Sequence, residues 1–83
     1  MKKTFRYQVL FRPEPEGGYT VLVPALQGCI TFGKTLKQAR SMAADAITGY
    51  IESLRKNKEP IPSDTESLVG IVEVPHSSIH VRA

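Results

Sequence analysis

The sequence predicts an α+β fold in which a mainly antiparallel sheet of three or four strands is covered on one face by one long helix. Three observations predict it. The chain begins with alternating apolar and polar residues, continues with two short β-prone stretches bounded by turns, and then spaces its apolar residues three and four apart. The predicted element order is β-β-β-α-β, in a single domain that covers 1–83.

The first predicted strand covers 4–12. Its odd-numbered positions from 5 to 11 are apolar or aromatic and most of its even-numbered positions are polar, which is typical of a strand with one buried face. Pro13 and Pro15 cannot donate to a strand ladder, so we expect the chain to turn there.

Glycines and a proline delimit the next two strands. Gly17 and Gly18 permit positive φ and allow 19–23 to fold back as the second strand of a hairpin. Pro24 ends that strand because it has no backbone donor. Gly28 then allows a tight corner before a third short strand at 29–32.

The helix is predicted to begin after Gly33. Thr35 and Gln38 form a T-x-x-Q capping-box pattern, in which the threonine side chain accepts from the backbone of the first turn. The buried stripe is formed by apolar residues three and four apart: Leu36, Ala39, Ala43, Ala46, Ile47, Tyr50 and Leu54. Lys56 and Lys58 suit the helix C-terminus because cations stabilise that end of the macrodipole.

The C-terminal quarter contains a loop and a further apolar stretch. Residues 59–67 include two prolines and are predicted to cross the surface. Residues 68–74 are β-branched and apolar on both faces, which predicts a strand buried on both faces. The tail, 76–83, contains one more possible strand at 79–82.

Composition limits the class of protein. A chain of 83 residues with 41% hydrophobic content is short of buried area, and we expect it to form a homodimer or homotetramer. It has no apolar run long enough to span a membrane and no signal-peptide pattern, which predicts a cytoplasmic protein. Its single cysteine, Cys29, agrees with a reducing compartment.

Catalysis is not expected from these residues. A metal-dependent nuclease needs clustered carboxylates, yet Asp45 belongs to the polar stripe of the helix and no acid lies in the first strand. His76 and His80 flank a predicted strand or tail, so we interpret them as exposed and not as zinc ligands. Cys29 has no neighbouring base in the sequence. We therefore predict no enzyme activity, metal or cofactor.

An ordered set of residues nevertheless carries a family resemblance. The run GGYTVLVPALQGCITFGKTLKQARSMAADAI resembles the signature of the HicB antitoxin family. The matching positions are Gly17, Gly18, Tyr19, Val23, Pro24, Leu26, Gly28, Cys29, Thr31, Gly33, Thr35, Ala39, Ala43, Ala46 and Ile47. The resemblance implies a partial ribonuclease H-like fold. It also implies that the chain binds and inhibits a small HicA-type toxin, a ribonuclease that cleaves messenger RNA.

Two features depart from the family pattern. Gln27 stands where the family usually has proline, which loosens the corner. Many family members also continue into a helix-turn-helix or ribbon-helix-helix segment that binds operator DNA, and no such segment follows before Ala83. DNA binding by this chain is therefore not expected.

The candidate partner-binding residues are Glu14, Glu16 and Tyr19. A basic RNA-binding toxin would be held by acidic groups at the hairpin tip, with the tyrosine as an aromatic anchor. The alternative for this tip is an exposed turn kept polar for solubility. The net charge of +3 supports a second hypothesis, a small nucleic-acid-binding or regulatory module. Its basic patch would consist of Lys2, Lys3, Arg6, Arg12, Lys34, Lys37 and Arg40.

Overall fold

The computed structural model describes residues 4–78, with side-chain environments given for 4–77. Its elements in chain order are β1 (Leu10–Pro13), β2 (Tyr19–Leu22), β3 (Ile30–Gly33), α1 (Leu36–Lys56) and a short 3-10 turn (His76–Ser78). The three strands form one sheet in the order β1-β2-β3, and both neighbouring pairs are antiparallel. The predicted fold class, an antiparallel sheet followed by one long helix, is confirmed.

One face of the sheet forms the core with α1. The register places Phe11 opposite Val21, and Val21 opposite Thr31, so these side chains share a face. Val21 is completely buried against Ala39 and Ala43 of the helix, and Phe11 packs against the same cluster. Alanines on the buried stripe of α1 thus let the helix lie close to the sheet.

Helix and sheet approach each other closely at Gly33, the last residue of β3. A Cβ atom built on Gly33 would lie 2.4 Å from both the Cα and the backbone nitrogen of Ala39. No side chain fits at that distance, so only glycine allows α1 to cross β3 at this point. The glycine at position 33 therefore has a steric role.

Both ends of α1 are formed as the sequence predicts. The Thr35 hydroxyl accepts a hydrogen bond from the backbone N–H of Gln38 at 3.0 Å. The Gln38 side chain in turn accepts from the backbone N–H of Lys34 at 2.6 Å. The last turn carries Arg55 and Lys56, whose positive charges are stabilised by the negative end of the helix dipole.

A second core cluster lies under the corner between β2 and β3. Val23, Leu26 and Cys29 are buried there, and Tyr50 of α1 packs against them. Tyr50 also donates a hydrogen bond from its hydroxyl to the carbonyl of Gln27 at 2.8 Å. Leu26 anchors this corner to the core, since its side chain is 1% exposed.

The first strand is shorter than the sequence predicts. Within the described part of the chain β1 begins at Leu10, and it includes Pro13, where a turn was expected. Alternation shows only that one side of this stretch packs inward, whereas a strand also requires a neighbour for its backbone. Proline is tolerated in β1 because β1 is an edge strand.

The predicted strand at 68–74 is wrong for this chain taken alone. The structure gives these residues no strand, and Leu68 and Ile71 are 95% and 93% exposed. The apolar pattern indicates a segment that favours burial, but among the described residues no surface covers it. The possible strand at 79–82 and His80 lie outside the described residues.

Two glycine substitutions test the helix–sheet contact. We expect Gly33→Ala to lower the free energy of unfolding by about 1–3 kcal/mol, because the new methyl group overlaps the backbone of Ala39. Gly49→Ala is the matched control. Nothing lies within 4 Å of a Cβ at Gly49, so alanine there raises stability by about 0.5–1 kcal/mol through helix propensity. Urea unfolding followed by circular dichroism measures both, and equal effects of the two substitutions would contradict the steric argument.

Candidate functional site

The β1–β2 hairpin has a tip of fixed geometry. The backbone N–H of Glu14 donates to the carbonyl of Gly18 at 3.0 Å, and the N–H of Gly17 donates to the carbonyl of Glu14 at 2.9 Å. Gly17 and Gly18 have φ values of 103° and 80°, which confirms the predicted need for glycine in this turn. The tip is therefore a defined surface that projects from the sheet.

Glu14 is held by its own hairpin. Its carboxylate accepts from the Thr20 hydroxyl at 2.7 Å and from the Arg12 guanidinium at 3.1 Å. The hydrogen bonds from Thr20 and Arg12 lower the pKa of Glu14 below its ordinary value. Because Arg12 already neutralises part of this charge, Glu14 contributes less to the negative electrostatic potential of the hairpin tip than the sequence indicates.

The other two predicted partner-binding residues differ in exposure. Glu16 is exposed at the tip. Tyr19 is half-buried and packs against the cluster formed by Val21, Ala39 and Ala43. The hairpin thus carries all three predicted residues. Glu16 exposes its carboxylate to solvent, whereas Tyr19 exposes only part of its ring.

A second surface, which the sequence analysis missed, is an open groove between residues 4–11 and α1. We call it the α1 groove. Apolar side chains that line it come from both sides: Phe5, Tyr7, Val9, Phe11, Ala43, Ala44, Ile47 and Ile51. Arg6, Arg40 and Arg55 also line it, together with Glu52. The alternating pattern of residues 4–11 and the apolar stripe of α1 were both visible in the sequence. The sequence did not show that the two segments lie apart and leave a groove between them.

The predicted basic patch is divided by the fold. Arg6 and Arg40 both line the α1 groove. Arg55 lines it too, and its guanidinium lies 5.8 Å from the centre of the Phe5 ring. Arg12 instead pairs with Glu14 on the hairpin. Lys34 and Lys37 are exposed around the start of α1, and Lys2 and Lys3 lie outside the described residues.

The loop after α1 is tethered to the start of the chain. The Tyr7 hydroxyl donates to the carbonyl of Pro62 at 2.6 Å, and the backbone N–H of Gln8 donates to a carboxylate oxygen of Asp64 at 2.7 Å. The Gln8 side-chain amide also donates to the carbonyl of Ser67. Hydrogen bonds from Ser67 and from the Gln8 backbone lower the pKa of Asp64, which is buried. Asp64 therefore fixes the path of the loop.

The residues considered for catalysis stand apart from one another. Within residues 4–78 no three His, Cys, Asp or Glu side chains come together as a metal site. Asp45 and His76 are both exposed. Burial raises the pKa of the Cys29 thiol, which disfavours the nucleophilic thiolate. Across the same residues, no helix combines the length and apolar character needed to cross a bilayer.

Comparison with known proteins identifies relatives over nearly the whole chain. Residues 7–81 match the model of the HicB-like antitoxins of bacterial toxin–antitoxin systems. A UPF0150 protein of Thermoplasma acidophilum is 49% identical over 66 residues, which cover 80% of this chain and 96% of that protein. Antitoxin HicB of Escherichia coli K12 is 35% identical over 74 residues, which cover 87% of this chain. Antitoxin HicB 1 of Photorhabdus laumondii is 36% identical over 75 residues, which cover 90% of it.

The matches differ in how much of each relative they include. They cover 54% of the Escherichia coli antitoxin and 48% of the Photorhabdus laumondii antitoxin, so this chain spans about half of each. These similarities confirm the resemblance carried by the glycine, tyrosine and proline motif of the hairpin and corner.

The Asp64 tether predicts an acid-dependent loss of stability. The folded state lowers the pKa of Asp64 below its ordinary value of 3.8, so its stabilisation is present above that pH and is lost as the pH falls through the lowered value. We expect Asp64→Asn to have a lower Tm than the native chain at about pH 7, with the difference closing as the pH falls below the ordinary pKa of 3.8. Thermal unfolding at a series of pH values measures this. Asp45→Asn, at an exposed position, is the control, and a constant difference across the series would exclude the Asp64 mechanism.

Proposed function

This chain belongs to the family of HicB-like antitoxins of bacterial toxin–antitoxin systems, and we propose that it neutralises a HicA-type, mRNA-cleaving toxin by covering the toxin's active site. Relatives named antitoxin HicB support an antitoxin role. The match over residues 7–81 is the observation that carries this proposal. The protein would act without catalysis, and in the cytoplasm, where the messenger RNA cleaved by such a toxin is found.

The hairpin tip is the surface that we expect to meet the toxin. A ribonuclease must attract the phosphate backbone of RNA with basic groups, so an inhibitor that covers its active site competes best with negative charge. Glu16 supplies an exposed carboxylate on a turn held by two backbone hydrogen bonds. Glu14 adds a second carboxylate that is already ionised and oriented, and the accessible part of Tyr19 adds an aromatic contact.

Rigidity of the tip favours this role. The hydrogen bonds of Glu14 to Thr20 and Arg12 hold the carboxylate in one orientation before binding. An oriented group loses less conformational entropy on association than a free side chain does. Glu14 would therefore contribute by shape and by hydrogen bonding, whereas Glu16 would contribute by charge.

Self-association as a homodimer or homotetramer belongs to the same proposal. Among the described residues, the buried hydrophobic side chains are Val21, Val23, Leu26, Cys29, Ala39, Ala43 and Ile51. Such a small core provides little stability on its own. Large apolar side chains remain exposed on both the sheet and the C-terminal segment, and a second copy could cover them.

The alternative is a nucleic-acid-binding or regulatory module that acts without a toxin. One observation favours it: Arg6, Arg40 and Arg55 line the α1 groove together, in a chain of net charge +3. Against it, two of the three aromatic side chains in the groove, Tyr7 and Phe11, pack against core clusters, which leaves Phe5 as the exposed ring. Few rings are then left for base stacking.

A charge reversal at the tip tests the antitoxin proposal. We expect Glu16→Lys to weaken binding of a catalytically inactive HicA-type toxin about tenfold at low salt, and by less at high salt, because the lost attraction is screened. Glu59→Lys, at an exposed position after α1, makes the same charge change elsewhere and should leave affinity unchanged. Isothermal titration calorimetry at two salt concentrations measures both. If neither substitution changed the Kd, the tip would have no part in binding.

A second measurement separates the antitoxin from the alternative. We expect the isolated chain to bind single-stranded RNA weakly, with little sequence preference, in a filter-binding titration. Paired substitution of Arg6 and Arg40 by glutamine should then leave toxin neutralisation intact. Tight RNA binding that falls steeply with salt and is lost in this double variant would instead favour the nucleic-acid-binding function.

A further inference from the structure

The face of the sheet that points away from α1, which we call the outward face, carries large apolar side chains. Because Val21 faces the helix, its neighbours along β2, Thr20 and Leu22, point to the opposite side. Strand pairing places Ile30 beside Leu22 and Phe32 beside Thr20, so both residues of β3 lie on the outward face. Ile30 is 60% exposed and Phe32 is 47% exposed. Adjacent exposed apolar side chains of this kind mark surfaces that another protein covers.

The outward face is continuous with the hairpin tip. A Cβ atom built on Gly18 would overlap the ring of Phe32, so this ring lies directly against the backbone of the turn. Arg12 and Thr20 belong to the same cross-strand row as Phe32, and both donate to the carboxylate of Glu14. The tip and the outward face therefore form one surface, which is apolar on β3 and charged where β1 meets the turn.

The Glu14 carboxylate has one oxygen to spare. Its hydrogen bonds from the Thr20 hydroxyl and the Arg12 guanidinium both end on Oε1. No described residue donates to Oε2, and the Glu14 side chain is 26% exposed. An ionised carboxylate accepts hydrogen bonds at both of its oxygens. Oε2 is thus held in one orientation and can accept from a donor outside the chain.

The apolar residues of β3 lie on the side of the sheet away from the C-terminal segment. Leu68 and Val69 of that segment lie beside Leu10 of β1 in a shallow depression. β1 and β3 are on opposite sides of β2 in the sheet. Ile30 and Phe32 are therefore the part of the outward face that is available next to the tip.

The charges of this surface fit a basic partner better than a second copy of the chain. Glu14 and Glu16 give the tip two carboxylates, whereas the strand positions of the outward face include one cation, Arg12, which is already bound to Glu14. Two such surfaces facing each other would place carboxylates against carboxylates or against the apolar residues of β3. Both arrangements cost free energy. A basic partner, in contrast, supplies a cation to each carboxylate.

We propose that the outward face and the hairpin tip form one docking surface for the basic toxin. In this contact Ile30 and Phe32 cover an apolar patch of the toxin, and Glu14 Oε2 accepts a hydrogen bond from a cationic side chain beside that patch. The inference rests on the proposed toxin neutralisation and adds the apolar half of the contact to it. Burial of apolar surface supplies affinity that salt does not screen, whereas the charge of Glu16 is screened.

Titration calorimetry of the full chain with a catalytically inactive toxin tests the apolar half. We expect Ile30→Asp to raise the Kd at least about 30-fold at low and at high salt, because it places a charge in an apolar contact. Met42→Asp is the matched control, since it makes a similar change at an exposed apolar position of α1 and should leave the Kd unchanged. Circular dichroism verifies that both variants keep the helix.

Glu14→Gln tests the open oxygen. The substitution keeps one oxygen for Thr20 and Arg12 but replaces the open acceptor by an N–H donor, which would face the toxin's own donor. We expect the Kd to rise about tenfold, and this rise should depend less on salt than that of Glu16→Lys. Glu59→Gln, at an exposed position after α1, removes the same charge elsewhere and should have no effect.

Cross-saturation NMR locates the contact without any substitution. Saturation of the inactive toxin should transfer to the methyl groups of Ile30 and not to those of Ile71, an exposed isoleucine in the C-terminal segment. Transfer to Ile71 without transfer to Ile30 would overturn the proposed docking surface.

The outcomes separate this inference from the function on which it rests. A native chain that does not bind the toxin would overturn both. Equal affinities of the native chain and Ile30→Asp would leave toxin neutralisation standing and overturn the docking surface. The docking surface would also be overturned if Ile30→Asp changed only the mass of the free protein in light scattering, because the outward face would then be a contact between copies. An unchanged Kd for Glu14→Gln would overturn the role assigned to Oε2.

Discussion

The structure depends on the contact between α1 and the sheet at β3. Gly33 lets the backbone of Ala39 approach within a distance that no side chain allows, and Val21 is sealed beneath the helix as a result. A larger residue at this contact would lift the helix and expose Val21, Ala39 and Ala43 together. In a domain with so few buried side chains, that would remove a large share of the hydrophobic stabilisation.

Placement of α1 also leaves two surfaces accessible, the hairpin tip and the α1 groove. The helix lies over β2 and β3, so the hairpin tip between β1 and β2 remains free on one side and the α1 groove remains open along residues 4–11. The tip is made rigid by its own backbone and by the Glu14 contacts. The groove, in contrast, lies between residues 4–11 and α1, beside the strand that is at one edge of the sheet in the described part of the chain.

A protein that acts by covering another protein needs stable surfaces more than it needs reactive groups. The carboxylates of this chain accordingly have structural or surface positions: Asp64 holds the loop, Glu14 holds the hairpin and Glu16 faces solvent. Cys29 is buried in the corner, where its raised pKa keeps it in the thiol form.

Local sequence determined what depends on local geometry. The glycines with positive φ, the Thr35 cap, the amphipathic helix and the family motif were all readable, because each follows from a few neighbouring residues. The two carboxylates of the tip were also predicted from the sequence. The difference in their environments was not, because it arises from the contacts that Arg12 and Thr20 make with Glu14 across the hairpin. The length of β1, the tether from Gln8 to Asp64 and the exposure of residues 68–74 were decided only by the tertiary structure. An apolar alternation shows that a segment favours burial, but which backbone or which copy of the chain can cover it depends on how distant elements meet.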